Sequence, residues 1–263
     1  PKNDVFRGKD SSVMKPSRPE DVPPLVTVVC DNYKAAEDLE SCWGFSCHIR
    51  HGGKNILFDT GCDGMVLSKN MARLSLDPAV IDLLMISHQH WDHTGGIYSV
   101  LDINRNLPVL VPRSFSPHFK VDMKRYGVRV IEIDKAHEIS PGFYTTGELD
   151  GPVREQAALV QTPAGVVVIT GCAHPGIVRI VQTAKAILPE EDLALVMGGF
   201  HLLDDSDDDI LEIIGRFRSL GVRYAAASHC SGERARKLFA REYGDHFIRL
   251  GAGAEISPAD LKS

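Results

Sequence analysis

The sequence predicts an α/β fold, and three observations predict it. Short apolar runs rich in β-branched residues recur from Leu25 to Ser228, with the length and composition of strands buried on both faces. Stretches with helical spacing are interleaved among them in the second half of the chain. Five of the apolar runs also end in Gly or Ser beside a chemically capable side chain, as strands do where an α/β sheet builds its site. These are LFDTG (Asp59), MISHQH (His88, His90), VITGCAH (Cys172, His174), VMGGFH (His201) and AASHC (His229, Cys230), and the five ends are expected to converge.

Nine runs read as strands: LVTVVC, CHIR, NILFD, DLLMIS, LPVLVP, RVIEI, VVVIT, LALVM and YAAAS. Three segments read as helices. In residues 174–188 Pro175 suits the first helical position, and Ile177, Val178, Ile180, Val181, Ala184 and Leu188 form one stripe. Residues 204–221 open on acidic residues, place Ile210, Leu211, Ile213, Ile214 and Phe217 on one face, and stop at Gly221. Residues 231–244 carry Ser231 as a cap and Gly244 as a stop. Residues 1–24, rich in Pro, Ser and charge, read as a flexible arm, and residues 25–263 as one domain.

A chain of 263 residues with 43% hydrophobic and 24% charged content has the composition of a soluble globular protein. Its net charge of -6 gives no basic surface for nucleic acid or an anionic membrane. No apolar run approaches the roughly 20 residues of a membrane span, and the polar residues 1–24 do not read as the apolar core of a signal peptide. The six cysteines form no CxxC pair and read as thiols of a reducing cytoplasm. Cys42 and Cys47 lie near enough in sequence to pair, but read more simply as two small buried side chains.

The chemistry concentrates in ISHQHWDHTGG, residues 86–96. His48, His51, His118, His137 and His246 stand singly and read as structural. His88, His90 and His93 do not, because imidazoles packed together oppose one another's protonation unless a cation holds them neutral. Imidazole and carboxylate donors suit Zn²⁺, with Fe or Mn as substitutes. Residues two apart in an extended loop point the same way, so His88 and His90 grip one ion. Asp92 and His93 face a second ion, and two such ions roughly 3.5–4 Å apart share a hydroxide.

HxHxDH here, with NILFDTG upstream, resembles the signature of the metallo-β-lactamase superfamily. The run from Asn55 to Ile97, with TTGEL, ITGCAHPGI, GGFHLL and SHCSG downstream, resembles the subgroup of the dihydropterin–aminobenzene-phosphate synthase of methanopterin biosynthesis. The resemblance implies a four-layer αββα sandwich with two divalent metal ions at one edge. It implies His88, His90 and His174 on the first ion, Asp92, His93 and His229 on the second, and Asp59 orienting a ligand. Hydrolytic members carry a strand ending in TGD, whose Asp bridges the metals; here Thr170 and Gly171 lead to Cys172. Cys172 either ligates as a thiolate or packs beneath the site. The usual histidine before that strand is also absent, Glu155 and Gln156 standing there, and His174 is expected to replace it in space. The segment after Glu148 is shorter than in pterin-type members, which speaks against the pterin substrate and leaves the metal site untouched.

The expected function is a metal-dependent hydrolase that cleaves an ester or phosphoester of a small molecule through a metal-bound hydroxide. Asp92 and His201 are its catalytic candidates, His201 as a substrate contact or general acid. The alternatives are a transferase joining a dihydropterin diphosphate to an aminobenzene ribosyl phosphate, and a non-catalytic metal-binding protein. A helix start after His174 would favour phosphate. Arg234, Arg236 and Lys237 on the last helix either assist or form a solvated face, and residues 102–147 are expected at the pocket rim.

Overall fold

The structure, a computed structural model, describes residues 25–257 and 261. The arm expected over residues 1–24 lies outside the described residues. In chain order the strands are β1 (Leu25–Cys30), β2 (Ser46–His51), β3 (Lys54–Phe58), β4 (Leu83–Met85), β5 (Val109–Pro112), β6 (Val130–Ile133), β7 (Lys135–Ser140), β8 (Phe143–Gly147), β9 (Ala158–Thr162), β10 (Gly165–Thr170), β11 (Leu193–Gly199), β12 (Tyr224–Ser228) and β13 (Glu255–Ile256). The helices are α1 (Gly64–Arg73), α2 (Trp91–Thr94), α3 (Ile97–Leu101), α4 (Pro117–Arg125), α5 (Ile177–Ile187), α6 (Asp207–Ser219) and α7 (Gly232–Tyr243).

The strands form two mixed sheets, one in the order β13-β1-β2-β3-β4-β5-β6 and one in the order β12-β11-β10-β9-β8-β7. Alternation along the strands makes the layers. Ile56 and Phe58 of β3 and Val167 and Ile169 of β10 pack between the sheets, with Cys47, Met85 and Met197. Their neighbours Leu57, Val166 and Val168 face outward. On one outer face Leu57, Leu84 and Val109 meet Leu67 and Met71 of α1 and Val100 of α3. On the other, Val168, Val196 and Ala225 meet Ile180 of α5, Ile214 and Phe217 of α6 and Phe239 of α7. These three apolar layers make the αββα sandwich, and each fully buried aliphatic or aromatic side chain adds about 1.5–3 kcal/mol.

β3 and β4 run parallel in one sheet, as do β10, β11 and β12 in the other. Their carboxyl ends therefore share an edge in each sheet, which is where all five chemically marked strand ends emerge.

All nine expected strands form, and β7, β8, β9 and β13 are additional. β7 (KAHEIS) is an edge strand exposed along most of its length, and β8 (FYTTG) takes the buried Thr145 and Thr146, so neither carries the apolar signal of a core strand. α5 begins at Ile177 rather than Pro175, after a turn in which Gly176 N–H donates to Ala173 O at 2.8 Å. Ser231 precedes α7 without a side-chain cap, because its hydroxyl accepts from Phe200 N–H at 3.0 Å. α6 matches the expectation, with a capping box between Ser206 and Asp209. Among the described residues, no helix is long and apolar enough to cross a membrane.

Candidate metal centre

The loop after β4 supplies the first donors. His90 is extended, and the single turn of α2 then swings Asp92 and His93 to the opposite side, with Thr94 N–H donating to His90 O at 3.1 Å. His88 and His90 face His174, which follows β10, with ring centroids 4.7–4.8 Å apart. Asp92, His93, Cys172 and His229 form a second group. In each group the candidate donor atoms lie within 4.8 Å of one another. The His88 and His93 rings, centroids 4.2 Å apart, join the two groups.

Every ring of the two groups except those of His90 and His174 has an identified partner that fixes its tautomer. Asp59 is fully buried, and its Oδ1 accepts from Ser87 N–H at 2.7 Å. Its Oδ2 accepts from Ser87 Oγ–H and from His93 Nδ1–H, both at 2.7 Å. The Ser87 hydroxyl, its proton spent on Asp59, accepts from His88 Nδ1–H at 2.9 Å. One carboxylate thus orients a ring in each group and turns both Nε2 lone pairs inward, that of His93 toward Cys172 Sγ. His229 Nδ1 meets Asn32 Oδ1 at 3.0 Å, and that oxygen also accepts Gly44 N–H, which fixes the amide's orientation. The Nε2 atoms of His88, His174 and His229 are buried without a hydrogen-bond partner. An inward-facing imidazole nitrogen left unpaired in three rings is what a metal donor set presents.

In the first group the electrostatics agree with neutral rings. Burial, and then the neighbouring imidazoles His93, His174 and His90, hold His88 well below the usual histidine range. Burial and the adjacent His201 and His90 bring His174 down to about 3. In the second group burial opposes the Asp92 charge, yet His229 and His93 hold that carboxyl down to about 2. Burial also opposes protonation of His229, but Asp92, 3.4 Å from its Nε2, raises it. Cys172 Sγ lies 3.2 Å from His93 Nε2. Its thiol is pushed up by the Cys230 sulfur and by burial, so without a cation Cys172 stays protonated.

Glu155 builds the loop that carries His174. It is fully buried, and its Oε1 accepts backbone N–H bonds from Gly171, Cys172 and Ala173 at 3.2, 2.9 and 2.9 Å. Its Oε2 accepts from His174 N–H at 2.9 Å. These amides do not await a phosphate from outside; they are already occupied by a carboxylate of the chain. Next to Glu155, Gln156 donates to Ile86 O at 2.9 Å and accepts from Thr145 Oγ1 at 2.8 Å, tying this segment to the end of β4.

Backbone strain gathers at the same edge. Of the five non-glycine residues with positive φ among those described, four are Asp59, Ala173, His201 and His229. Each such residue costs of order 1–3 kcal/mol, which the surrounding contacts must offset. At Gly199 a Cβ would press into the Gly171 carbonyl oxygen and come 2.7 Å from Cys230 Sγ, so β11 and β10 close on each other here only because the position is glycine.

His201 is exposed, with its ring 4.4 Å from that of His174. Both line a cavity of about 430 Å³ whose walls include Phe200, Ile177, Val178 and Leu202. The first turn of α5 therefore borders the cavity. Trp43, 46% exposed, stands 5.4 Å from the His229 ring. In the segment expected at the rim, Ser116 N–H donates to Gln89 Oε1 at 2.7 Å, between His88 and His90. The cations of α7 are otherwise engaged. Arg236 is buried over the Tyr33 ring at 3.4 Å and donates to Leu250 O, Arg234 donates to Asp205 O, and Lys237 meets Glu233 at 3.8 Å. Arg234 and Lys237 are exposed, as expected of a solvated face, whereas Arg236 is buried, and the three form no phosphate cluster.

The edge thus brings together Asp59, His88, His90, Asp92, His93, Cys172, His174, His201 and His229. Ser87, Asn32 and Glu155 were not singled out as functional from the sequence. Asn32→Ala is expected to free the His229 ring and weaken cation binding in the second group by roughly 10- to 100-fold, the usual cost of losing an orienting partner. Cation titration of the purified variant reads this directly.

The profile of the metallo-β-lactamase superfamily matches residues 46–209. The chain belongs to the metallo-β-lactamase superfamily. Within it, the chain is 30% identical over 247 residues to the 7,8-dihydropterin-6-methyl-4-(β-D-ribofuranosyl)-aminobenzene-5'-phosphate synthase of Methanocaldococcus jannaschii, covering 77% of this chain and 84% of the synthase. A crystal structure of a metal-dependent hydrolase of the β-lactamase superfamily superposes with a TM-score of 0.75 at 29% identity, covering 89% of this chain and 98% of that one. The metallo-β-lactamase-fold protein YhfI of Bacillus subtilis, at 19% identity and a TM-score of 0.66 over 90% of this chain and all of its own, shares the superfamily fold.

Proposed function

We propose that this chain is a metal-dependent enzyme acting on a small-molecule phosphoester or diphosphate, with two divalent cations, Zn²⁺ first and Fe or Mn as substitutes. His88, His90 and His174 would hold one ion, and Asp92, His93 and His229 the other, with Cys172 between them. The supporting observation is that each donor group contains a ring, His88 in one and His229 in the other, whose buried Nε2 is unpaired while its Nδ1 is tied behind by Ser87 or Asn32. Bound cations would supply Lewis-acid charge and lower the pKa of water at the site.

The donor set carries one carboxylate, Asp92, because Cys172 stands where hydrolytic members place their bridging Asp. Two dications with so little anionic charge around them retain a net positive charge, which favours an anionic substrate. The first turn of α5, at the cavity wall beside His174 and His201, favours phosphate in the same place. His201, exposed at that wall, would contact the leaving oxygen and pass it a proton. Asp59 and Asn32 would keep the rings in the donor tautomer.

Hydrolysis, with water as acceptor, is the first form of this chemistry. Transfer of a dihydropterin from its diphosphate to an aminobenzene ribosyl phosphate is the second, favoured by the similarity to the synthase and by the missing bridging carboxylate. Elemental mass spectrometry on protein purified without added metal is expected to find about two ions per chain. His90→Ala and His229→Ala should each remove about one. One ion in the wild type, unaffected by His229→Ala, would refute the second site. Phosphate release from a phosphoester panel supports hydrolysis; diphosphate release from a dihydropterin diphosphate only when the arene acceptor is present supports transfer.

A further inference from the structure

We infer that Cys42 and Cys62 form an oxidisable thiol pair outside the metal centre, in which a hydroperoxide oxidises Cys42 and Cys62 closes the disulfide. The inference is independent of the function proposed above. All six cysteines are free thiols, and they fall into different surroundings. Cys47 is sealed between the sheets, and Cys172 and Cys230 are buried at the centre, so the Cys42–Cys47 pairing considered from the sequence does not arise. Cys42 points instead to a cluster in which its sulfur hydrogen-bonds the thiols of both Cys30 and Cys62. Cys30 is fully buried at the end of β1, whereas Cys42 and Cys62 are half-buried and reached by solvent.

The backbone brings the two loops into contact independently of the sulfurs. A Cβ on Gly44, two residues beyond Cys42, would lie 2.8 Å from Cys62 N and 2.5 Å from Asp92 O. Gly61 N–H donates to Phe45 O at 3.0 Å, and Cys42 N–H donates to Asp31 O at 3.1 Å, which fixes both loops. Hydrogen bonds first from Cys30 and then from Cys62 draw the Cys42 thiol down to about 6 against burial. Burial first, and then the Cys42 sulfur, push Cys62 up to about 12. Cys42 is thus the thiol drawn toward the thiolate and Cys62 the one held toward the protonated form, the order in which a nucleophile and its resolving partner act.

In the first step the Cys42 thiolate attacks one peroxide oxygen; the S–O bond forms, the O–O bond breaks, and the departing oxygen takes a proton from water. The product is a neutral Cys42 sulfenic acid, which no longer opposes ionisation of Cys62. Cys62 then attacks the Cys42 sulfur; the S–S bond forms, the S–O bond breaks, and hydroxide leaves with the Cys62 proton as water. The two thiols lose two electrons and the peroxide gains them. The disulfide staples residues 42–45 to residues 59–62. These loops hold α2 from behind, through Phe45 N–H to Asp92 O at 3.3 Å and Thr60 N–H to His93 O at 2.8 Å.

The test treats the reduced full chain with a small excess of hydrogen peroxide at pH 7, then alkylates, digests without reductant and maps the peptides by mass spectrometry. A dominant Cys42–Cys62 peptide is expected. Cys62→Ser should leave a Cys42 sulfenic acid that dimedone traps, and Cys42→Ser should slow peroxide consumption about tenfold while keeping the fold by circular dichroism. Linkage of Cys42 to Cys30, linkage confined to Cys172 and Cys230, or unchanged consumption in Cys42→Ser would each overturn the assignment.

Discussion

Asp59→Asn is expected to empty the second cation group while leaving the fold in place. Asp59 sits at φ 56°, a conformation Asn tolerates as well as Asp, so the backbone is not the target of this change. The carboxylate accepts three hydrogen bonds, two of them on Oδ2. An amide that keeps its oxygen toward Ser87 N–H presents an NH₂ group to both remaining donors. His93 then has a bond to that amide only by moving its proton from Nδ1 to Nε2, the atom that faces Asp92, Cys172 and His229. The proton blocks the donor. Cation affinity of this group should fall by roughly 10- to 100-fold or more, with a smaller loss at His88, which Asp59 reaches only through Ser87. Elemental analysis after dialysis checks the stoichiometry, and circular dichroism checks the fold. Two ions retained at wild-type affinity would remove Asp59 from the site's design.

How much of this was legible in the sequence depends on whether a residue acts through its own side chain or through somebody else's backbone. His88, His90, Asp92 and His93 announce themselves by their crowding, and burial, followed by the neighbouring rings, does hold His88 well below the usual histidine range. Asp59 was legible from its place at the end of a buried strand. The convergence of five strand ends followed from the parallel strands on each sheet, whose carboxyl ends must share an edge. Asn32 was not legible, since it meets His229 across 197 residues of chain and carries no charge to mark it. Glu155 was hidden more completely. Its partners are four backbone amides, and no residue type advertises an amide that needs an acceptor.

The helix boundaries misled for a related reason. Pro175 is a good first helical residue by propensity, but the four preceding amides are turned inward to Glu155, and the chain needs the turn through Gly176 before α5 can start. The edge strand β7 and the polar β8 stayed hidden because their pairing, rather than an apolar face, makes them strands. The helix α1 has only Leu67, Asn70 and Met71 buried, too narrow a stripe to stand out, and Asp63 starts it by accepting from Met65 and Val66 N–H.

Replacing Glu155 tests the other half of the centre. Glu155→Ala strands the N–H groups of residues 171–174 in the interior. Each unsatisfied buried donor costs about 1–3 kcal/mol, and water entering the vacated space offsets part of that. A net loss of about 3–5 kcal/mol is expected, which for a chain of this size lowers the melting temperature by roughly 10 °C. Glu155→Gln is the finer probe. Its oxygen in the Oε1 place keeps the bonds to Gly171, Cys172 and Ala173, while its NH₂ group opposes His174 N–H where Oε2 accepted it. His174 is pushed from His88 and His90, so the first cation group should weaken while Asp92, His93 and His229 keep theirs. That is the reverse of Asp59→Asn. Cation stoichiometry across the two variants therefore separates the groups: opposite losses support two distinct sites built on two buried carboxylates, whereas identical losses in both would mean a single shared site.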